Sequence, residues 1–346
     1  VSASRKTAVV ICPGRGTYNK TELGYLGKYF PDTDLLSSFD RQRKARGQET
    51  LSELDGAERF SLAKHTRGDN ASGLIFAATL GDFQAISRNA VDVVAVTGNS
   101  MGWYSALACA GATTPEDGFR VANTMGTLMQ EALIGGQLVY PFLSDDWTAD
   151  TAQRDALLAL ASKIDAEPNQ TLLPSIHLGG MIVLAGNEAG LKAFEKSVES
   201  IDGRFPMRLG NHAAFHTPLQ QPVADNGRAK LPADLFSQPE LPLVDGRGAI
   251  WWPHASDIDA LRDYTLGHQV TQTYDFTRAI EVAAREFAPD LFVVTGPGTT
   301  LGGAVAQSLI LANWRGLDSK DTFKQMQREN PLLASMGLAD QRPLVT

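Results

Sequence analysis

The stretch Val91–Gly111, VDVVAVTGNSMGWYSALACAG, constrains this chain more than any other. A β-branched apolar run, Val91–Thr97, meets Gly98-Asn99-Ser100-Met101-Gly102, and helix-forming residues follow at once. A Gly-x-Ser-x-Gly pattern between a strand and a helix is the nucleophile elbow. The turn is so sharp that side chains beside the serine would collide, hence the flanking glycines. It exposes the serine hydroxyl at the strand end and aims the following backbone N–H, from Met101, at a carbonyl under attack. The same letters also fit an ordinary glycine-rich turn, so the rest of the chain has to decide.

Elsewhere, short buried strands alternate with helices. Lys6–Cys12 (KTAVVIC) is an apolar run ending at Pro13-Gly14-Arg15-Gly16, a first strand and a tight loop. Ala71–Ala90 and Asp117–Ala132 have helical patterning, and Pro115 stands near the start of the second. Leu291–Thr295 is a last buried strand before Gly296-Pro297-Gly298 and the helix Leu301–Leu311. Between Gly135 and Asn211 the texture changes. Gln137–Leu143 and Met181–Leu184 suggest strands, Thr151–Ile164 and Glu188–Ser200 suggest helices, and Asp165–Pro174 is polar. The pattern predicts an α/β core with a largely parallel sheet over residues 1–135 and 211–346, interrupted by a small α+β subdomain over 136–210. The polar tail from Asp318 is expected to pack loosely.

At 346 residues, 43% hydrophobic and 20% charged, the chain can bury a large core. A net charge of −8 argues against broad nucleic-acid binding. No stretch reaches membrane-span length, and the beginning of the chain has no signal-peptide apolar core. Cys12 and Cys109 lie in apolar segments and read as buried free thiols. These features suggest a cytoplasmic protein without a membrane partner.

A serine hydroxyl needs a positioned base to take its proton. Six histidines are candidates: His65, His177, His212, His216, His254 and His268. Spacing alone does not choose among them.

Five segments together resemble the malonyl-CoA:acyl carrier protein transacylases and polyketide-synthase acyltransferase domains. Cys12-Pro13-Gly14-Arg15-Gly16 is similar to their F-P-G-Q-G loop, and Gly98–Ala106 to their G-H-S-x-G-E-Y-x-A elbow. Ala214-Phe215-His216-Thr217-Pro218-Leu219 resembles their F-H-S/T-P-L segment. Gln269–Phe276 and Thr295–Leu301 resemble Q-V-x-x-P-V-x-F/W and E-x-G-P-G-x-x-L. All five occur in the family order. The resemblance implies an α/β-hydrolase-like core with a ferredoxin-like small subdomain. It implies Ser100 as nucleophile, His216 as its base, and a backbone carbonyl at Gln272 orienting the ring. The oxyanion hole would be the N–H groups of Met101 and Arg15. The implied reaction is ping-pong acyl transfer from acyl-CoA, through a serine ester, to the phosphopantetheine thiol of an acyl carrier protein. No metal and no permanently bound cofactor is implied.

Three positions depart from that pattern around the expected acyl pocket: Arg15 replaces the loop glutamine, Asn99 the histidine before the serine, and Met125 the helix arginine that pairs with a malonyl carboxylate. A thioether cannot replace a charge-assisted guanidinium–carboxylate pair. One expectation is therefore an uncharged acyl group lined by Met125. The other is that Arg15 reaches the carboxylate from the opposite wall. Lys192, Lys196, Arg204 and Arg208 are candidate steering charges for an acidic carrier protein. An acyl-carrier-protein hydrolase using the same serine and histidine, and a non-catalytic docking module, are the alternative readings.

Overall fold

The structure, a computed structural model, describes residues 5–30, 32–148 and 150–346. Its larger sheet runs β11-β10-β1-β2-β7-β8. Here β1 is Lys6–Cys12, β2 Val91–Gly98, β7 Leu243–Val244, β8 Ile250–Trp251, β10 Leu291–Val294 and β11 Leu333–Ser335. Neighbours are parallel except in the β7–β8 pair. Ala8–Cys12 is completely buried, which is why this run is continuously apolar rather than alternating.

The principal helices of this layer are α1 (Gly68–Ala85), α2 (Gly102–Cys109) and α3 (Pro115–Ala132). Thr114 caps α3 by accepting from the Asp117 N–H, with Pro115 in the first turn, as its missing donor allows. α1 stops five residues before the expected Ala90, because Ile86 turns extended and the Ser87 N–H goes to the Val345 carbonyl.

The smaller sheet runs β6-β3-β5-β4-β9, with β3 Gly136–Pro141, β4 Leu172–Leu178, β5 Met181–Gly186, β6 Met207–Arg208 and β9 Tyr274–Asp275. Together with α4 (Thr151–Asp165) and α5 (Glu188–Ser197), β3 to β6 follow the ferredoxin-like order βαββαβ. β9, from far later in the chain, adds a fifth strand beside β4. Alternation divides the faces: Leu138, Tyr140, Ile182 and Leu184 join the core under α4 and α5, whereas Val139 and Val183 join the main core. β4 runs into the stretch expected to be a polar loop; Pro174 is accommodated there by a register shift before Ile176.

The remaining named helices are α6 (Gln221–Lys230), α7 (Phe276–Phe287), α8 (Leu301–Leu311) and α9 (Lys320–Glu329). The tail is not loosely packed. Leu332, Leu333, Ala334, Met336 and Val345 are buried, β11 pairs with β10, and Arg342 meets the buried Asp82 carboxylate at 2.7 Å.

Candidate active site

The site lies at the C-terminal ends of β1 and β2. The Asn99 N–H donates to the Cys12 carbonyl at 2.9 Å, tying the elbow to the neighbouring strand. Ser100 has φ +57°, in the left-handed region that costs a non-glycine residue roughly 1–2 kcal/mol. A side chain at Gly102 would overlap the Cys12 carbonyl, and one at Gly98 the backbone of Gly102. Glycine is thus required at both places by contact, not by turn preference alone. α2 starts at Gly102.

Of the six histidines, His216 is the one brought to the serine. Its Nε2 lies 2.7 Å from Ser100 Oγ, and its Nδ1 lies 2.6 Å from the Gln269 carbonyl oxygen. A carbonyl only accepts, so Nδ1 carries the proton and Nε2 is left to accept from the serine hydroxyl. Burial holds the imidazolium down, to a pKa of about 4, with the Gln269 carbonyl partly opposing the shift. The imidazole is therefore neutral at pH 7. His216 also has φ +57°. His65 is engaged with Ser61 and the Leu54 carbonyl, and His212 with Gln137.

The orienting carbonyl belongs to Gln269, not to Gln272 as expected. The last helical turn, Gln269–Thr271, ends before Gln272, which is extended and exposed. The Gln269 side chain adds a second contact that sequence reading missed. Its Nε2 donates to the Ser100 carbonyl at 3.0 Å, while the Tyr104 hydroxyl donates to its Oε1 at 3.1 Å. One residue thus touches both partners of the dyad.

The cleft at Ser100 is lined by Arg15, Met101, Tyr104, Met129, Phe215, His216, Gln269 and Val270. The open space is small, a cavity of about 10 Å³, enough for about one water. Met125 is absent from this lining. It is fully buried, in the core, with its sulfur facing Gly227 of α6. Met129, one helical turn later on the same stripe, takes the wall position. Asn99 is also outside the lining; it is buried.

Arg15 does reach the cleft. Its Nη2 donates to the carbonyls of Thr66 and Asn211, both at 2.8 Å, and its guanidinium sits 5.4 Å from the Phe215 ring centroid. Nε and Nη1 are buried with no partner among the described residues. Burial lowers its pKa to about 10, the charge of Asp69 only partly offsetting this. Of the four proposed steering cations, Lys192 and Arg208 are engaged by Glu188, and Arg208 also by Glu195. Arg204 stacks on Phe205.

A largely parallel α/β sheet with a Ser–His pair at a strained elbow defines the general class. No family model matches the chain. It is 27% identical over 208 residues to the malonyl-CoA:acyl carrier protein transacylase of Salmonella typhimurium, which covers 60% of this chain and 63% of that relative. The solved malonyl-CoA:acyl carrier protein transacylase of Xanthomonas oryzae pv. oryzae superposes with a TM-score of 0.73 at 20% identity, over 98% of this chain and 97% of that one. A malonyl-transacylase solved in complex with its type II polyketide acyl-carrier protein gives 0.71 at 18% identity, over 98% and 97%. The chain has the fold of the malonyl-CoA:acyl carrier protein transacylases and is related to them in sequence.

Proposed function

We propose that the chain is a serine acyltransferase that moves a short carboxylated acyl group, of which malonyl is the simplest, from coenzyme A to an acyl carrier protein. The observation that carries the reading is the 2.7 Å contact from Ser100 Oγ to a His216 Nε2 whose tautomer is set by the Gln269 carbonyl.

Ser100 Oγ attacks the thioester carbonyl carbon as its proton passes to His216 Nε2. The resulting oxyanion faces the N–H groups of Met101 and Arg15, which flank the serine on the two strand-end loops. Collapse breaks the C–S bond, and His216 returns the proton to the departing thiol. The carrier's phosphopantetheine thiol then attacks the serine ester by the same steps in reverse. These steps need no resident cofactor. The complex of a structural relative with an acyl-carrier protein supports the same class of acceptor here.

The surroundings of Arg15 support the second of the two expectations for the acyl group. Met125 does not line the cleft, so an apolar wall from that residue has no support. A buried guanidinium with unpartnered N–H groups favours an anionic ligand, because an unpaired buried charge is costly. A short acyl chain would enter by displacing Met129, one of the two adaptable methionine side chains of the lining. Transfer from malonyl-CoA and acetyl-CoA to a phosphopantetheinylated carrier protein, with free acid measured in parallel, tests the reading. Malonyl transfer exceeding both acetyl transfer and release of free acid is expected. Free acid as the main product would overturn transfer in favour of hydrolysis.

A further inference from the structure

His216 occupies a backbone conformation that an L-residue holds only when its surroundings enforce it. Its ring is held by Ser100 and Gln269, but the peptide that precedes it is held from the other sheet. The Ser175 hydroxyl, on β4, donates to the Phe215 carbonyl at 2.7 Å. Gln137 Nε2, on β3, donates to that hydroxyl at 2.6 Å. His212 Nδ1 lies 2.8 Å from Gln137 Oε1. Gln137 and Ser175 are both buried.

Donor counting gives this chain one direction. Ser175 has a single hydroxyl hydrogen, and the Phe215 carbonyl can only accept it. Gln137 must then present its NH₂ to Ser175 and its carbonyl oxygen to His212. His212 in turn must carry its proton on Nδ1. Each of the three contacts in the chain then joins a donor to an acceptor. Gln137 shares its face of β3 with Val139, which packs toward the main core, so the strand's alternation aims the amide at the active-site side.

We infer that Gln137 and Ser175 are positioning residues: through the Phe215 carbonyl, the small sheet holds His216 in its strained, reactive conformation. The relay touches neither the acyl group nor the reacting atoms. It makes the small subdomain part of the catalytic apparatus rather than only a wall of the cleft. This inference rests on the proposed roles of Ser100 and His216.

The test compares steady-state transfer by the wild-type chain, Ser175→Ala, Ser175→Thr and Gln137→Met. Loss of the hydroxyl donor lets the Phe215–His216 peptide relax, and small misplacements of a catalytic group cost up to roughly 100-fold. In Ser175→Ala we expect kcat to fall roughly 10- to 100-fold while KM for the acyl thioester stays within about twofold. Ser175→Thr, which keeps the hydroxyl, should recover most of the loss. Gln137→Met leaves Ser175 its proton but no anchor, and should show an intermediate fall in kcat; it carries the test if Ser175→Ala does not fold. Unchanged kcat in the folded variants, a loss confined to KM, or equal loss in Ser175→Thr and Ser175→Ala would overturn the relay. Acylation of wild-type Ser100, measured beside them, separates the two ideas. Without it the function fails; with it and an unchanged Ser175→Ala, only the relay fails.

Discussion

The pH dependence of Ser100 acylation follows directly from the burial of His216. In water an imidazole titrates near 6.5, so at pH 5 only about 3% would be free base. Burial lowers the value to about 4. At pH 5 about 90% of His216 then remains neutral and able to accept the serine proton. The structure therefore predicts that acylation at pH 5 runs at close to its pH 7 rate, where an exposed histidine would give a drop of roughly 25-fold. The assay is single-turnover acylation by a limiting pulse of acyl-CoA, quenched and read as protein mass, from pH 4 to 8. The rate should be flat down to about pH 5 and half-maximal near pH 4. A half-maximal point near 6.5 would refute the argument, because the base would then be solvated rather than enclosed by the cleft.

Other expectations follow from the same geometry. Arg15→Gln should slow malonyl transfer roughly 10- to 100-fold relative to acetyl transfer, the range of a hydrogen bond to a charged group. Equal losses for both donors, measured as kcat/KM, would assign Arg15 to its Thr66 and Asn211 tethers alone. The depressed His216 also makes the fold acid-sensitive. Between pH 6.5 and 4 the unfolded chain binds a proton that the native state refuses, so this residue's contribution to stability is full above 6.5 and falls by roughly 3 kcal/mol on descending to 4. Urea midpoints across that interval should decline. A side chain at Gly102 collides with the Cys12 carbonyl, so Gly102→Ala should cost about 1–3 kcal/mol and displace the elbow, read as a lower Tm together with lost acylation.

The parts of the site legible in the sequence are those whose chemistry is local. The elbow needs its glycines next to Ser100, and the loop at Gly14-Arg15 must follow its strand directly. A side chain at Gly14 would overlap the Asn99 carbonyl, which shows how closely these two strand-end loops approach. What could not be read depends on where helices stop and how they turn. Gln269 and Gln272 lie on one short segment, and only the end of the helix at Thr271 decides which carbonyl faces His216. Met125 and Met129 share the buried stripe of α3, and the packing of α6 against Met125 leaves Met129 at the cleft. The packing of the tail is hidden from the sequence because the polar α9 precedes the apolar run Leu332–Ala334, whose place beside β10 is a long-range pairing. The Gln137–Ser175–Phe215 chain joins residues from three distant segments and has no signature in any of them.

The central claim is that Ser100 becomes an acyl ester with His216 as its base. Intact-mass measurement after brief exposure to malonyl-CoA tests it most directly. The account predicts a gain equal to one malonyl group on the wild-type chain, mapped to the peptide containing Ser100, with none on Ser100→Ala and a much slower gain on His216→Ala. No adduct on the wild-type chain, or one that persists in Ser100→Ala, would contradict it.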